Sequence, residues 1–336
     1  MTIPATTREI RLASRPEGAP KPENFEIAEV PMPRPVGGEL LVRNLILSVD
    51  PYMRGRMRAD VAYVEPYRVG EVMWGGAIGV VVSSTVDTHG VGDIVLHHHG
   101  WREYAIVDSA AAEILDPAVA PLGARLGVLG MPGLTAYAGM VDVAQLKDDD
   151  VVFVSGAAGA TGSAAGQIAR LRGAAKVIGS AGSAEKVGYL IDELGFDEAF
   201  NYQDGPIGEQ LAKAAPEGID VYFDNVGGDH LEAAIDAMNL YGRIAMCGAI
   251  SRYNATQPPP GPRNLGRCVG WRLRIEGFLV SDYAHLKDEF VADASAWIRA
   301  GELRYRQTIV QGFENTPRAF MDMLAGVNTG KMLVQL

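Results

Sequence analysis

Cysteine is nearly absent from this chain: Cys247 and Cys268 are the only two in 336 residues, and neither stands in a Cys-x-x-Cys pair. A disulfide framework is thereby excluded, and a reducing cytoplasm is the expected setting. Long apolar runs are missing too. Nothing reaches the roughly 18 apolar residues of a membrane-spanning helix, so no span is expected. The segment Met1 to Pro22 is polar, carries Arg8, Glu9, Arg11, Arg15 and Glu17, and lacks the apolar core of a secretory signal. Positive charge is in deficit: 30 Lys and Arg stand against 41 Asp and Glu, a net charge of −11. That balance argues against nucleic acid as the main partner, because phosphate contacts need a basic surface. With 48% hydrophobic and 21% charged residues the chain is otherwise ordinary for a globular protein, and it is long enough for two domains and a large core.

What is present is concentrated between Val151 and Gln167. The apolar run Val151 to Val154 suits a parallel strand covered on both faces. Gly156, Gly159 and Gly162 follow at three-residue spacing, and Ala164, Ala165, Ile168, Ala169 and Leu171 continue at helical spacing. Strand, glycine turn and helix in that order form the βα unit that holds a dinucleotide pyrophosphate. Glycines let the backbone approach the phosphates, and the helix start offers unpaired N–H groups and a positive dipole end. The pattern departs from strict G-x-G-x-x-G, because Ala157 stands where the first glycine would be. The next strand, Lys176 to Gly179, ends in Gly179-Ser-Ala-Gly-Ser183 with no acid. An NAD-binding unit usually places Asp or Glu there for the ribose 2′-hydroxyl. Hydroxyls and a nearby cation suit a 2′-phosphate instead, and Lys186 falls in the first turn of the following helix. NADP(H) is therefore the expected cofactor.

Around this unit the texture changes along the chain. The first third reads as strands (Ile10–Leu12, Phe25–Ile27, Glu39–Leu47, Ala77–Val82, Asp93–Leu96, Trp101–Val107) punctuated by Pro and Gly, the pattern of a partly open β-barrel. From about Gly127, helices alternate with strands, which implies a parallel sheet. Gln257 to Arg263, with four prolines, reads as a stiff exposed loop. An amphipathic helix is expected from about Leu286 to Ala300 and a last strand over Lys331–Val334. The expected fold class is α/β: a Rossmann doubly wound domain over 129–284, inserted in a partly open β-barrel domain made of 1–128 and 285–336.

Several segments carry a resemblance: Ser48 to Met57, Ser155 to Gln167, Ser180 to Lys186, Phe200 to Tyr202, Asp220 to Gly228, Gly248 to Asn254 and Gly277 to Tyr283. In this order they resemble the medium-chain dehydrogenase/reductase superfamily. Within it they resemble the zinc-independent alkenal/one reductases, which include prostaglandin, plant double-bond and bacterial curcumin reductases. Tyr253-Asn-Ala-Thr256 and Gly261-Pro-Arg-Asn264 are most similar to the curcumin-reductase branch. The resemblance implies that the β-barrel domain is a GroES-like catalytic domain, and it implies NADPH-dependent reduction of the double bond of enones or enals, a small-molecule substrate and a homodimer. It places Ala157, Gly159, Ala160, Gly162, Ser180, Gly182, Lys186, Tyr202, Asn225, Gly248, Ala249 and Ile250 against the cofactor, with Lys186 and Tyr202 at the 2′-phosphate and Asn225 beside the nicotinamide.

Zinc is not expected. The zinc enzymes of the superfamily carry Gly-His-Glu where this chain has Trp74-Gly75-Gly76, and their four-cysteine loop is missing. His97, His98 and His99 alternate faces if they lie on a strand and are poorly placed to chelate one ion. Without a metal, the charge that builds on the substrate carbonyl oxygen needs a neutral donor, and a tyrosine hydroxyl is suited to that. Tyr63 and Tyr253 are the first catalytic candidates and Tyr52 the next, with Tyr283 and Trp271 on the substrate side. The family's mammalian and plant members carry a substrate-site tyrosine where this chain has Gly270, followed by Trp271. That departure suggests a larger pocket with Trp271 as a stacking wall for bulky aryl enones. Two other readings stay open: a quinone or carbonyl reductase on the same scaffold, and a protein that binds NADPH without turnover.

Overall fold

A computed structural model describes residues 3–59, 64–118 and 120–336. Strands dominate the first third: β1 (Thr6–Leu12), β2 (Phe25–Pro31), β3 (Glu39–Ser48), β4 (Ala77–Ser84), β5 (Ile94–His97), β6 (Tyr104–Asp108) and β7 (Glu113–Leu115), with one short helix, α1 (Tyr52–Arg56). Alternation follows: α2 (Met131–Ala138), β8 (Val151–Val154), α3 (Ala160–Leu171), β9 (Lys176–Ala181), α4 (Ala184–Gly188), β10 (Glu198–Asn201), α5 (Ile207–Ala214), β11 (Ile219–Asp224) and α6 (Gly228–Ala237). β12 (Met238–Met246), α7 (Arg267–Trp271), β13 (Arg274–Gly277), α8 (Lys287–Ala300), β14 (Gln307–Gln311), α9 (Thr316–Leu324) and β15 (Lys331–Gln335) complete the order. Among the described residues no helix is long and apolar enough to cross a membrane.

The chain forms two compact units. One holds the residues up to Leu126 with Gln307–Asn328 and Met332–Leu336. β1 and β2 pair antiparallel, and a seven-stranded sheet runs β14-β15-β3-β4-β5-β7 with β6 also on β3. β3 is the hub because its apolar residues serve more than one core. Leu40 and Val42 join Val81, Val95 and Val107, while Leu47 joins Ile10, Met53, Trp101 and Phe320. A strand apolar on both faces is buried on both, as the run Glu39 to Leu47 indicates.

The second unit holds Gly127–Arg306 with Thr329–Lys331. Its six strands run β10-β9-β8-β11-β12-β13, and each neighbouring pair is parallel. The chain starts in the middle at β8, winds outward to β10, returns to β11 and winds the other way. That order makes β8 and β11 the switch point, where the two following connections diverge and leave a crevice at the strands' carboxyl ends. Phe153, Ile178, Tyr222 and Ile244, from four neighbouring strands, share one core cluster with Leu211, Leu231 and Ile235. The unit continues past residue 284 to include α8. The fully buried Tyr137 places its hydroxyl 2.6 Å from Glu289 and 2.8 Å from Asp293 of α8. Its ring packs on Phe290 and Trp297 at 5.7 and 6.5 Å.

Candidate dinucleotide-binding site

The carboxyl ends of β8 to β12 line up as one edge of the sheet. After β8 the chain turns through Gly156, whose φ of +59° favours glycine. α3 then opens at Gly159, a cap residue with no side chain to bond the first turn. The helix therefore begins with backbone N–H groups that have no intrahelical partner, at its positive end. The turn is held from three sides: Ala157 N–H donates to Ser180 O at 2.9 Å, Gly159 N–H to Gly156 O at 3.1 Å, and Gly330 N–H to Ala158 O at 2.8 Å. Gly162, one turn into α3, sits against this loop so tightly that a Cβ on it would lie 2.4 Å from Gly156 O and 2.8 Å from Ala157 Cα. This is the tight glycine cradle that a pyrophosphate site requires.

At the end of β9, Ser180 is fully buried and its hydroxyl has no hydrogen-bond partner among the described residues. Ser183 caps α4, its Oγ accepting from Lys186 N–H at 3.3 Å. Lys186 is half-buried. Burial pushes its ammonium pKa below the ordinary lysine value, with Glu185 acting in the opposite direction. Tyr202 follows β10 and lays its hydroxyl over Gly182, 2.8 Å from where a Cβ would stand. Its ring meets His230 edge to face at 5.4 Å, and burial holds that imidazole's pKa down to about 4, so the ring stays neutral near neutral pH. Gly182→Ala should therefore displace Tyr202. The expected result is a several-fold rise in KM for NADPH with kcat unchanged, read from steady-state NADPH titration; an unchanged KM would show that the Tyr202 hydroxyl makes no contact with the cofactor.

Asn225 ends β11. Its backbone N–H donates to Ser155 Oγ at 3.1 Å and its Nδ2 to Ser155 O at 2.8 Å. After β12, the N–H groups of Cys247 and Gly248 both donate to Asp224 O at 2.9 Å, and Ile250 N–H donates to Asn225 O at 3.2 Å. Burial, followed by the charge of Asp224, pushes the Cys247 thiol up to about 12 and leaves it unreactive at neutral pH. The Tyr253 hydroxyl reaches the same corner, 3.3 Å from the Cβ position on Gly248. Ala157, Gly159, Ala160, Gly162, Ser180, Gly182, Lys186, Tyr202, Asn225, Gly248, Ala249, Ile250 and Tyr253 thus share one edge.

The other expected residues are divided. α7 precedes β13 in a parallel sheet, so Trp271 stands at the amino end of that strand and is not brought to the carboxyl edge. Its ring, 38% exposed, lies under Arg267 at 4.0 Å. Tyr283 follows β13 on the carboxyl side, packed edge to face on Phe278 at 5.9 Å. Tyr52 belongs to the other unit, in α1, with its hydroxyl 3.5 Å from the Cβ position on Gly75. Tyr63 lies outside the described residues. His97 is buried, and its Nδ1 accepts the His99 N–H at 3.1 Å. Burial and the neighbouring His99 and His98 hold its pKa down to about 3. Among the described residues no group of three or more His, Cys, Asp and Glu is placed to hold a metal ion.

Three residues with a part in this edge were not anticipated: Ser155, Tyr222 and Asp224, all fully buried. The one signal in the sequence is Asp224 itself, a carboxylate closing the run Val221–Phe223.

A doubly wound sheet whose switch-point edge carries this glycine cradle and an acid-free second strand end defines the nucleotide-binding half of a dehydrogenase/reductase. Residues 8–115 match a family described as the N-terminal domain of oxidoreductase, and residues 160–298 one described as zinc-binding dehydrogenase. The NADPH-dependent curcumin reductase of Escherichia coli is 41% identical over 332 residues, 97% of this chain and 95% of that one. Prostaglandin reductase 1 of Rattus norvegicus is 43% identical over 325 residues, 95% of this chain and 96% of that one. A crystal structure of CurA from Vibrio vulnificus in complex with NADPH superposes with a TM-score of 0.93 at 45% identity, covering 98% of each chain. The chain belongs to the medium-chain dehydrogenase/reductase superfamily, in the group of NADP-dependent oxidoreductases that includes the curcumin and prostaglandin reductases.

Proposed function

We propose that the protein reduces the α,β-double bond of enones and enals with NADPH. The observation that carries this reading is the carboxyl edge of the second unit. It joins a glycine cradle, an acid-free Ser180–Ser183 end with Lys186 and Tyr202 beside it, and Asn225 with Tyr253 at the far end, in a chain whose relatives reduce curcumin, prostaglandins and alkenals. When bound, NADPH supplies the hydride that goes to the β-carbon. The N–H groups opening α3 bind the pyrophosphate, and Lys186 with Tyr202 binds the 2′-phosphate. Asn225 offers Oδ1 to the nicotinamide carboxamide, because its Nδ2 is committed to Ser155 O. Negative charge then appears on the substrate's carbonyl oxygen. A tyrosine O–H donates to it without a buried ion; Tyr253 is the first candidate within this unit, with Tyr52 and Tyr63 the further ones. The α-carbon takes its proton from water.

The test is direct. The purified protein is mixed with NADPH and 4-phenyl-3-buten-2-one, cofactor absorbance is followed and the product identified. A saturated ketone is expected. An allylic alcohol, or a hydroquinone from a quinone substrate, would make it a carbonyl or quinone reductase instead. Tight NADPH binding without consumption across an enone, enal and quinone panel would overturn catalysis altogether.

A further inference from the structure

Asp224 is an unusual residue for the work its backbone neighbours ask of it. Its Oδ1 accepts the N–H groups of Val226 and Gly227 at 2.9 and 2.7 Å, a turn-capping role that an exposed Asp or Asn performs at no burial cost. Here the side chain is fully buried, and burial raises its pKa despite the donors around it. Burying a carboxylate is expensive, so the arrangement demands strong compensation. That comes from two buried hydroxyls on adjacent strands. Tyr222 Oη lies 2.7 Å from Asp224 Oδ1 and 2.9 Å from Ser155 Oγ, and Ser155 Oγ lies 3.3 Å from the same Oδ1. The Tyr222 ring is fixed in turn by stacking on Phe153 at 5.0 Å. Among the described residues Asp224 Oδ2 has no hydrogen-bond partner, so the contacts of the group converge on one oxygen.

The network leads to one residue. Ser155, oriented by Tyr222 and Asp224, accepts both the backbone N–H and the Nδ2 of Asn225, at 3.1 and 2.8 Å. Asp224 meanwhile fixes the backbone immediately after Asn225, through residues 226 and 227. The carboxamide is thus pinned from both strands of the switch point, with its plane set and its Oδ1 left to act. We propose that Tyr222, Asp224 and Ser155 are positioning residues that act through Asn225 to set the geometry of hydride transfer. This rests on the reading of Asn225 as a neighbour of the nicotinamide.

The experiment is a double-mutant cycle on the full chain with Tyr222→Phe, Asn225→Ala and the pair together. It measures kcat, KM for NADPH and the deuterium isotope effect with nicotinamide-labelled NADPH. Tyr222→Phe keeps the stacked ring and removes only the hydroxyl. It should lower kcat about 10-fold, within what an ångström-scale misplacement costs, with KM for NADPH changed less than about threefold and the isotope effect raised as transfer becomes rate-limiting. In the Asn225→Ala background the same change should add nothing, because the residue it works through is gone. A full 10-fold loss in that background, or an unaltered kcat in Tyr222→Phe alone, overturns the proposal while leaving Asn225's own role intact. If Asn225→Ala itself changes neither kcat nor NADPH binding, the premise about Asn225 is wrong and the proposal falls with it. Product analysis of the wild type judges the enone-reductase reading separately. Ser155→Ala removes the other arm and carries the same expectations, so a folding failure of one variant, seen by near-ultraviolet circular dichroism, leaves the cycle with a second.

Discussion

Gly162→Ala should raise the dissociation constant for NADPH at least about 100-fold. A methyl group there would stand 2.4 Å from Gly156 O and 2.8 Å from Ala157 Cα. Both neighbours are backbone, so no side chain can swing away; either α3 or the turn must move by about an ångström. The turn is itself tied to β9 through Ala157 N–H and to Gly330 through Ala158 O, so the helix is the part that gives. Its N-terminal N–H groups then leave the pyrophosphate position. Overpacking of this kind also costs stability, about 1–3 kcal/mol, which a thermal melt would report. Gly159→Ala is the internal control. Its added Cβ comes no closer than 3.3 Å to Gly156 O, so an effect of only several-fold is expected. Fluorescence titration with NADPH separates the two variants, and equal affinities for both would remove close packing as the reason for the glycine at 162.

Much of this edge was legible because it is local. The run Val151–Val154, the glycines after it and the helix period beyond them lie within 17 consecutive residues, Val151 to Gln167, and the structure has β8, turn and α3 in that order. β9 begins at the residue expected, Lys176. Two of the short helices were not legible. α1 and α7 have five residues each and both contain a glycine, too little for an apolar period to show. The place of Trp271 was invisible for another reason. Resemblance assigns a residue to a site, but Trp271 precedes β13, and which edge of the sheet that amino end occupies is fixed by the parallel pairing of β13 with β12. The Tyr222–Asp224–Ser155 network hides in the same way. Ser155 and Asp224 are 69 positions apart, and only the adjacency of β8 and β11 brings them together. α8 was separable from its domain in sequence because its links include side-chain contacts to Tyr137 and Arg172, far upstream.

Lys186→Ala should cost NADPH about 10- to 100-fold in kcat/KM and NADH almost nothing, because only the former carries the 2′-phosphate. The magnitude is that of one charge-assisted hydrogen bond, about 1.5–3 kcal/mol. It should shrink with added salt, since the group is half-buried and partly screened. pH supplies a second, independent readout. Burial lowers the Lys186 pKa from the ordinary 10.5, and the protonated form is the one that binds a phosphate. Below the lowered pKa the cation is present and NADPH is favoured; as pH rises through it, the cation is lost and kcat/KM for NADPH falls, earlier than for an ordinary lysine. Values of kcat/KM report the free enzyme, so the lowered pKa is the one observed. NADH should show no such limb. Lys186→Arg keeps a charge that does not titrate in this range, and its alkaline limb should vanish while NADPH preference is largely retained. An alkaline fall that is the same for both cofactors, or one that survives in Lys186→Arg, would assign the titration to another group and leave the NADP preference to Tyr202 and the missing acid.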